Sequence, residues 1–154
     1  SSDIPFNNDR SEDRPDLMLF DKSIALLETQ NDGTAYDTIV IFELKRPMRD
    51  DLATNNPVEQ IIRYMTKIKT NTVTDKKGRI IHTDSHTKFY LYVVCDALDK
   101  YRNELADFNN FNETIDKLGM FRMRDNVYIE VLTYDKIIND AKKRNKILFD
   151  KLGI

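Results

Sequence analysis

A chain of 154 residues with 40% hydrophobic and 32% charged residues is the size of one domain with a real core, too short for two. Its formal net charge of −2 excludes a protein that coats nucleic acid through bulk positive charge, so any nucleic-acid surface must be local. The single cysteine, Cys95, excludes an intramolecular disulfide and a multi-cysteine zinc site, as expected of a reducing cytosol.

No apolar stretch reaches the roughly 18 residues that cross a bilayer, and the first residues lack the pattern of a signal peptide. The expectation is a soluble, cytoplasmic protein with no membrane partner. Residues 1–13 are polar without a hydrophobic period and read as a flexible lead-in or truncated linker. Residues 14–154 read as one domain, the C-terminal part of a longer protein whose other domains would be partners.

The first expected strand covers residues 16–20. Residues 23–29 (SIALLET) are apolar with an ambiguous period, and 30–37 are dense in turn formers around Gly33. Residues 38–45 (TIVIFELK) carry Ile39, Val40, Ile41 and Phe42, apolar on both faces, the pattern of a central strand covered on both sides. Pro47 ends that run. Pro57 opens a helix to about residue 69, with Val58, Ile61, Ile62, Met65 and Ile68 as its apolar stripe.

Residues 70–87 form a polar connection with room for a loose hairpin. Residues 88–96 (KFYLYVVCD) are a strongly apolar strand, followed by a helix over about 97–108 and an irregular segment to 125. Residues 127–132 are the next strand. Thr133 can cap a last helix in which Ile137, Ile138, Ala141, Leu148 and Leu152 face the core. This order predicts an α/β fold with a mixed central β-sheet flanked by helices.

Alternation along residues 38–45 puts Ile39, Ile41, Glu43 and Lys45 in one row, which changes from apolar to charged as the strand leaves the core. Asp16 begins the earlier strand. If the two segments form one long hairpin, bulged near Asp21, antiparallel pairing brings Asp16 to Glu43 and Lys45. A meander with a tight turn at 21–23 would instead separate them; the hairpin is the expected arrangement. Two adjacent carboxylates call for a hard cation, Mg²⁺ or Mn²⁺, held by Asp16, Glu43 and the Leu44 carbonyl. Such an ion suits phosphodiester hydrolysis, with Lys45 holding the attacking water or offsetting the developing charge.

Pro15-Asp16, then Glu43-Leu44-Lys45 at the end of an apolar strand, resembles the signature of the PD-(D/E)XK nucleases. In that superfamily the next helix often supplies a Gln near the metal, and the resemblance assigns this catalytic role to Gln60 in Glu59-Gln60-Ile61-Ile62-Arg63-Tyr64. The segments 88–96 and 128–135 are also similar to restriction-endonuclease-like domains of bacterial defence proteins, the Shedu type among them. The segment as a whole is also similar to nuclease-like C-terminal regions that follow Hsp90-type ATPase domains. The resemblance covers residues 14–153 and implies a restriction-endonuclease-like fold. The helix that usually precedes the first strand has no counterpart, and Glu12 and Asp13 are weak substitutes for its acid.

Residues 45–79 hold nine Lys or Arg against four Asp or Glu. Arg46, Arg49, Arg63, Lys67 and Lys69 are therefore the candidates to grip DNA phosphates. His82, Asp84 and His86 alternate like zinc ligands on a strand, but the segment is polar, lacks a fourth ligand and reads as loop. Cys95 reads as a small buried residue closing a strand. Asn112-Glu113-Thr114 matches a glycosylation acceptor with no meaning in the cytosol. The expected function is Mg²⁺-dependent DNA cleavage by the effector module of a bacterial defence or DNA-processing protein, possible as a homo-oligomer. The alternative is a catalytically inactive nuclease-fold module that binds DNA or protein.

Overall fold

Alternation of apolar residues along several short runs gives one sheet with a sealed face, and helices complete that face. The computed structural model describes residues 2–4, 23–30, 35–46, 56–75, 77–96 and 98–153. In chain order the elements are β1 (Ser2–Ile4), β2 (Ser23–Gln30), β3 (Tyr36–Leu44), α1 (Pro57–Lys69), β4 (Lys88–Val94), α2 (Leu98–Asn109), β5 (Asn112–Glu113), β6 (Gly119–Arg124), β7 (Val127–Leu132) and α3 (Tyr134–Leu152). They build a seven-stranded sheet in the order β1-β2-β3-β4-β7-β6-β5.

β2 runs antiparallel to β3, β3 and β4 are parallel, β4 and β7 are parallel, and β6 returns antiparallel along β7. The sheet is mixed and the fold is α/β, as the order of elements predicts. Helical crossovers are what parallel neighbours require, and α1 supplies one between β3 and β4.

One face of the sheet is closed. Ala25, Leu27, Ile39, Ile41, Phe89, Leu91, Val93, Ile129 and Val131 are buried at alternate positions and join Val58, Ile61, Met65 and Ile68 of α1 and Leu98, Tyr101 and Leu105 of α2 in one core. Ile61 and Ile68 are fully buried, each worth roughly 1.5–3 kcal/mol relative to exposure. On the opposite face Val40, Phe42, Tyr90, Tyr92 and Tyr128 are only half-buried. β3 is thus sealed on one side, where its apolar run predicts cover on both. The rings of Tyr90, Tyr92 and Phe121 lie 6.1–6.4 Å from that of Tyr128 and shelter the second side partially.

Three expectations need correction or completion. The run of ambiguous period is strand β2, because pairing with β3 sets its parity. The segment expected to be irregular up to residue 125 contains β5 and β6; Gly119↔Leu132 through Arg124↔Val127 form a hairpin with a two-residue turn, in which Asp125 takes the left-handed φ of 52°. The apolar residues of α3 do not face the core. Ile137, Ile138, Leu148 and Leu152 are 40–64% exposed, Ala141 is half-buried, and no residue of the helix is buried. The amphipathic period does form a helix, but none of its side chains joins the core.

Residues 70–87 do contain a small hairpin, bridged at Thr74↔Ile80. Asp75 Oδ1 accepts from the backbone N–H groups of Lys77 and Arg79, and Gly78 takes φ 77°. The expected strand at 16–20, with Asp16, lies outside the described residues, as do Glu12, Asp13 and Arg49.

Candidate functional site

Three parallel strands end together. Lys45 N–H donates to the Val94 carbonyl at 2.8 Å, and Cys95 N–H donates to the Leu132 carbonyl at 3.0 Å, so the chain leaves β3, β4 and β7 along one edge. In open α/β sheets the carboxyl ends of the strands are where ligands bind. Glu43 and Lys45 stand at that edge.

Both side chains are enclosed, Glu43 at 3% and Lys45 at 4% exposure. Parity puts them on the closed face with Ile39 and Ile41, under the first turns of α1. Lys45 Nζ donates to Gln60 Oε1 at 2.9 Å and lies 3.1 Å from Glu43 Oε2. The ammonium is thus held between a carboxylate from its own strand and a carboxamide from the helix. Glu43 Oε1 accepts from Ser23 Oγ at 3.3 Å, since Ser23 is the β2 partner of Glu43. Glu43 Oε2 is buried and accepts no hydrogen bond despite its ion-pair contact with Lys45.

Gln60 is placed by the start of α1. Asn56 caps the helix, its Oδ1 accepting from Val58 N–H at 3.0 Å and Glu59 N–H at 3.2 Å, and Pro57 supplies a first residue that needs no donor. Tyr64, one turn after Gln60, packs against the core, and burial pushes its hydroxyl well above the ordinary tyrosine range. The end of β3 is also anchored from the other side. Tyr134 Oη donates to the Lys45 carbonyl at 2.7 Å from the first turn of α3, which Thr133 caps by accepting from Lys136 N–H.

The trio expected from the sequence is therefore present as a pair with its helical neighbour: Glu43, Lys45 and Gln60 meet, while Asp16 lies outside the described residues. β2 is antiparallel to β3, and its first residue, Ser23, pairs with Glu43. The Leu44 backbone continues the pairing of β3 with Val94. Among the described residues no three His, Cys, Asp or Glu side chains converge as a metal-binding group. Glu43 Oε2, which faces the Lys45 ammonium at 3.1 Å and accepts no further hydrogen bond, is the oxygen a hard cation would use.

The basic candidates divide. Arg46 is exposed next to Lys45, and Arg63 is exposed one turn beyond Gln60. Lys67 and Lys69 lie roughly 10–14 Å along α1 from Gln60. Lys69 Nζ sits 5.3 Å from the ring centroid of Phe89 at the start of β4, the opposite end of the sheet from Lys45. Two of the expected phosphate contacts thus stay with the site and two leave it.

Ser23 and Tyr134 are the site neighbours that motif reading missed. Ser23 becomes visible only through the register of β2 on β3, and Tyr134 only through its hydrogen bond to the end of β3, 89 residues away in sequence. A cleft of about 460 Å³ opens at the ends of β4 and β7, with Asp96, Asp99, Arg102, Lys117 and Asp135 on its walls. The His82, Asp84 and His86 segment is loop, with His86 N–H donating to Asp84 Oδ1 at 2.8 Å in a turn, so strand alternation does not apply to it. Cys95 is buried at the end of β4, as read from the sequence. No described helix is long and apolar enough to cross a membrane.

No protein-family model, curated protein or solved structure matches the chain.

Proposed function

We propose that this domain is a metal-dependent DNA nuclease of the PD-(D/E)XK type with a restriction-endonuclease-like fold, the effector module of a larger bacterial defence or DNA-processing protein. The observation that carries the reading is the buried ammonium of Lys45, held between Glu43 and Gln60 at the carboxyl end of a central strand. A lysine enclosed this deeply against a buried carboxylate is unusual for a surface ion pair.

In this reading Glu43, Asp16 and the Leu44 carbonyl hold Mg²⁺ or Mn²⁺, which when bound lowers the pKa of a water and offsets phosphate charge. Lys45 brings a fixed positive charge to the place where charge develops on the phosphate, and its N–H groups orient the attacking water. Gln60 fixes the Lys45 rotamer by accepting a hydrogen bond from its ammonium. Arg46 and Arg63 meet the DNA backbone near the site.

A plasmid and single-stranded cleavage assay with Mg²⁺, Mn²⁺ and EDTA tests the proposal. Cleavage with either ion, its loss in EDTA and its loss in the isosteric variants Glu43→Gln and Asp16→Asn are expected. Normal cutting by Glu43→Gln would sink it. A second reading, a nuclease fold kept as a module that docks a partner or grips DNA without cutting, is favoured by the closure of Glu43 on Lys45, which neutralises both. That reading predicts indifference to Mn²⁺ in a binding titration, whereas the nuclease binds Mn²⁺ and loses it with Glu43→Gln.

A further inference from the structure

α3 leaves six large apolar side chains in the open: Ile137, Ile138, Ile147, Leu148, Phe149 and Leu152, each 40–64% exposed. Ile147 lies on the far side of the helix; the other five share one side and present on the order of 400 Å² of apolar surface, the size of the largest patch on a typical monomer. The helix is amphipathic in a particular way. Tyr134, Ile138, Ala141, Asn145, Leu148 and Leu152 follow one another in alternating steps of four and three, the 3.5-residue period of a seam between two helices. Lys143, Lys146 and Asp150 project from the opposite side of the helix.

Tyr134 is taken by the Lys45 carbonyl, so the open part of the seam runs from Ile138 to Leu152, about 21 Å of helix. Asn145 sits in the middle of it. A lone Asn at such a position weakens a helix pair but sets its register, because each amide offers both a donor and an acceptor. A twofold axis sets Asn145 opposite its own copy, where the two amides satisfy one another. A bilayer surface offers no such partner and would leave this amide in the apolar layer. Two copies bury roughly 800 Å² of apolar surface, which with the flanking side chains reaches the low end of specific interfaces, so the pair forms in a concentration-dependent way.

We infer that α3 pairs with α3 of a second copy of this chain, along the seam from Ile138 to Leu152 with Asn145 against Asn145. This surface is separate from the Glu43 and Lys45 site and does not depend on what that site does.

Sedimentation velocity from micromolar to near-millimolar concentration is the test. The expected result is a species of twice the chain mass that gives way to monomer in Leu148→Lys/Leu152→Lys, with the circular dichroism and thermal midpoint of the monomer retained because both side chains are exposed. Asn145→Leu is expected to associate at lower concentration and to populate species beyond the dimer. A wild-type chain that stays monomeric throughout overturns the inference, as does a dimer that survives the double lysine change. Cosedimentation of monomers with anionic phospholipid vesicles, lost in the double variant, would assign the face to a membrane surface instead.

Discussion

Tyr134 Oη donates to the Lys45 carbonyl at 2.7 Å, joining the first turn of the last helix to the end of the central strand. The bond fixes the backbone from which the Lys45 side chain projects. Tyr134→Phe removes the donor and keeps the ring, so its expected cost is that of one part-buried hydrogen bond, about 1 kcal/mol. Urea melts measure that cost. Hydrogen exchange supplies the local readout, since the amides of Lys45 and Arg46 should exchange faster than in the wild type; unchanged exchange there would show that the bond does not restrain the strand end.

Lys45→Ala leaves the Glu43 carboxylate enclosed without its ion-pair partner. Breaking a buried pair from one side costs about 3–5 kcal/mol, whereas replacing both members with neutral groups of similar volume is often nearly neutral. Lys45→Ala should therefore be strongly destabilised, and Glu43→Gln/Lys45→Met should recover most of the loss. A double variant as unstable as Lys45→Ala would contradict this account of the pair. It also follows that loss of activity in Lys45→Ala must be read beside its melting curve.

Asn56 accepts two of the first N–H groups of α1. Asn56→Ala should cost about 1 kcal/mol, while Asn56→Asp, an equally good cap, should be nearly silent. Equilibrium unfolding of the two variants compares them directly. Since Gln60 N–H bonds to the Asn56 carbonyl in the same turn, loosening there should also reach the Gln60 contact with Lys45.

The root of α3 carries a pH-dependent clamp. Lys136 Nζ donates to Asp116 Oδ2 at 2.8 Å, and the Thr114 hydroxyl and Leu118 N–H donate to Asp116 Oδ1. The bond from Lys136, followed by that from Thr114, holds the Asp116 carboxyl far below the usual carboxylate range. A carboxyl depressed on folding stabilises the native state above its ordinary value of about 3.9 and loses that contribution as pH falls through the folded value. Asp116→Asn should therefore be less stable than wild type at neutral pH, with the gap narrowing progressively in acid. Urea midpoints for both proteins across that range decide it; a gap that widens in acid would reverse the sign.

Local pattern carried much of this protein. Residues 38–45 announce a central strand because β-branched apolar residues there fit only a pleated, buried surface, and the Pro57 helix announces itself by a start signal and a 3.6-residue stripe. Glu43 and Lys45 fall on one face because strand parity is a property of the backbone. Burial of the pair, and the contact with Gln60, depend on where α1 lies over β3, which no local period encodes. β6 escaped notice because its partly exposed Met-Phe-Arg-Met run is a strand only when β7 pairs with it.

The case of α3 separates the two levels most clearly. The sequence determines that residues 134–152 form an amphipathic helix, since spacing, the Thr133 cap and the left-handed Gly153 end are all local choices. Which surface covers its apolar stripe is a tertiary matter. The Tyr134 and Lys136 contacts tie the helix root to the rest of the fold, while the apolar residues beyond them stay exposed. Amphipathicity specifies that a face must be covered, and only the arrangement of the neighbouring elements decides whether the cover comes from the chain's own core.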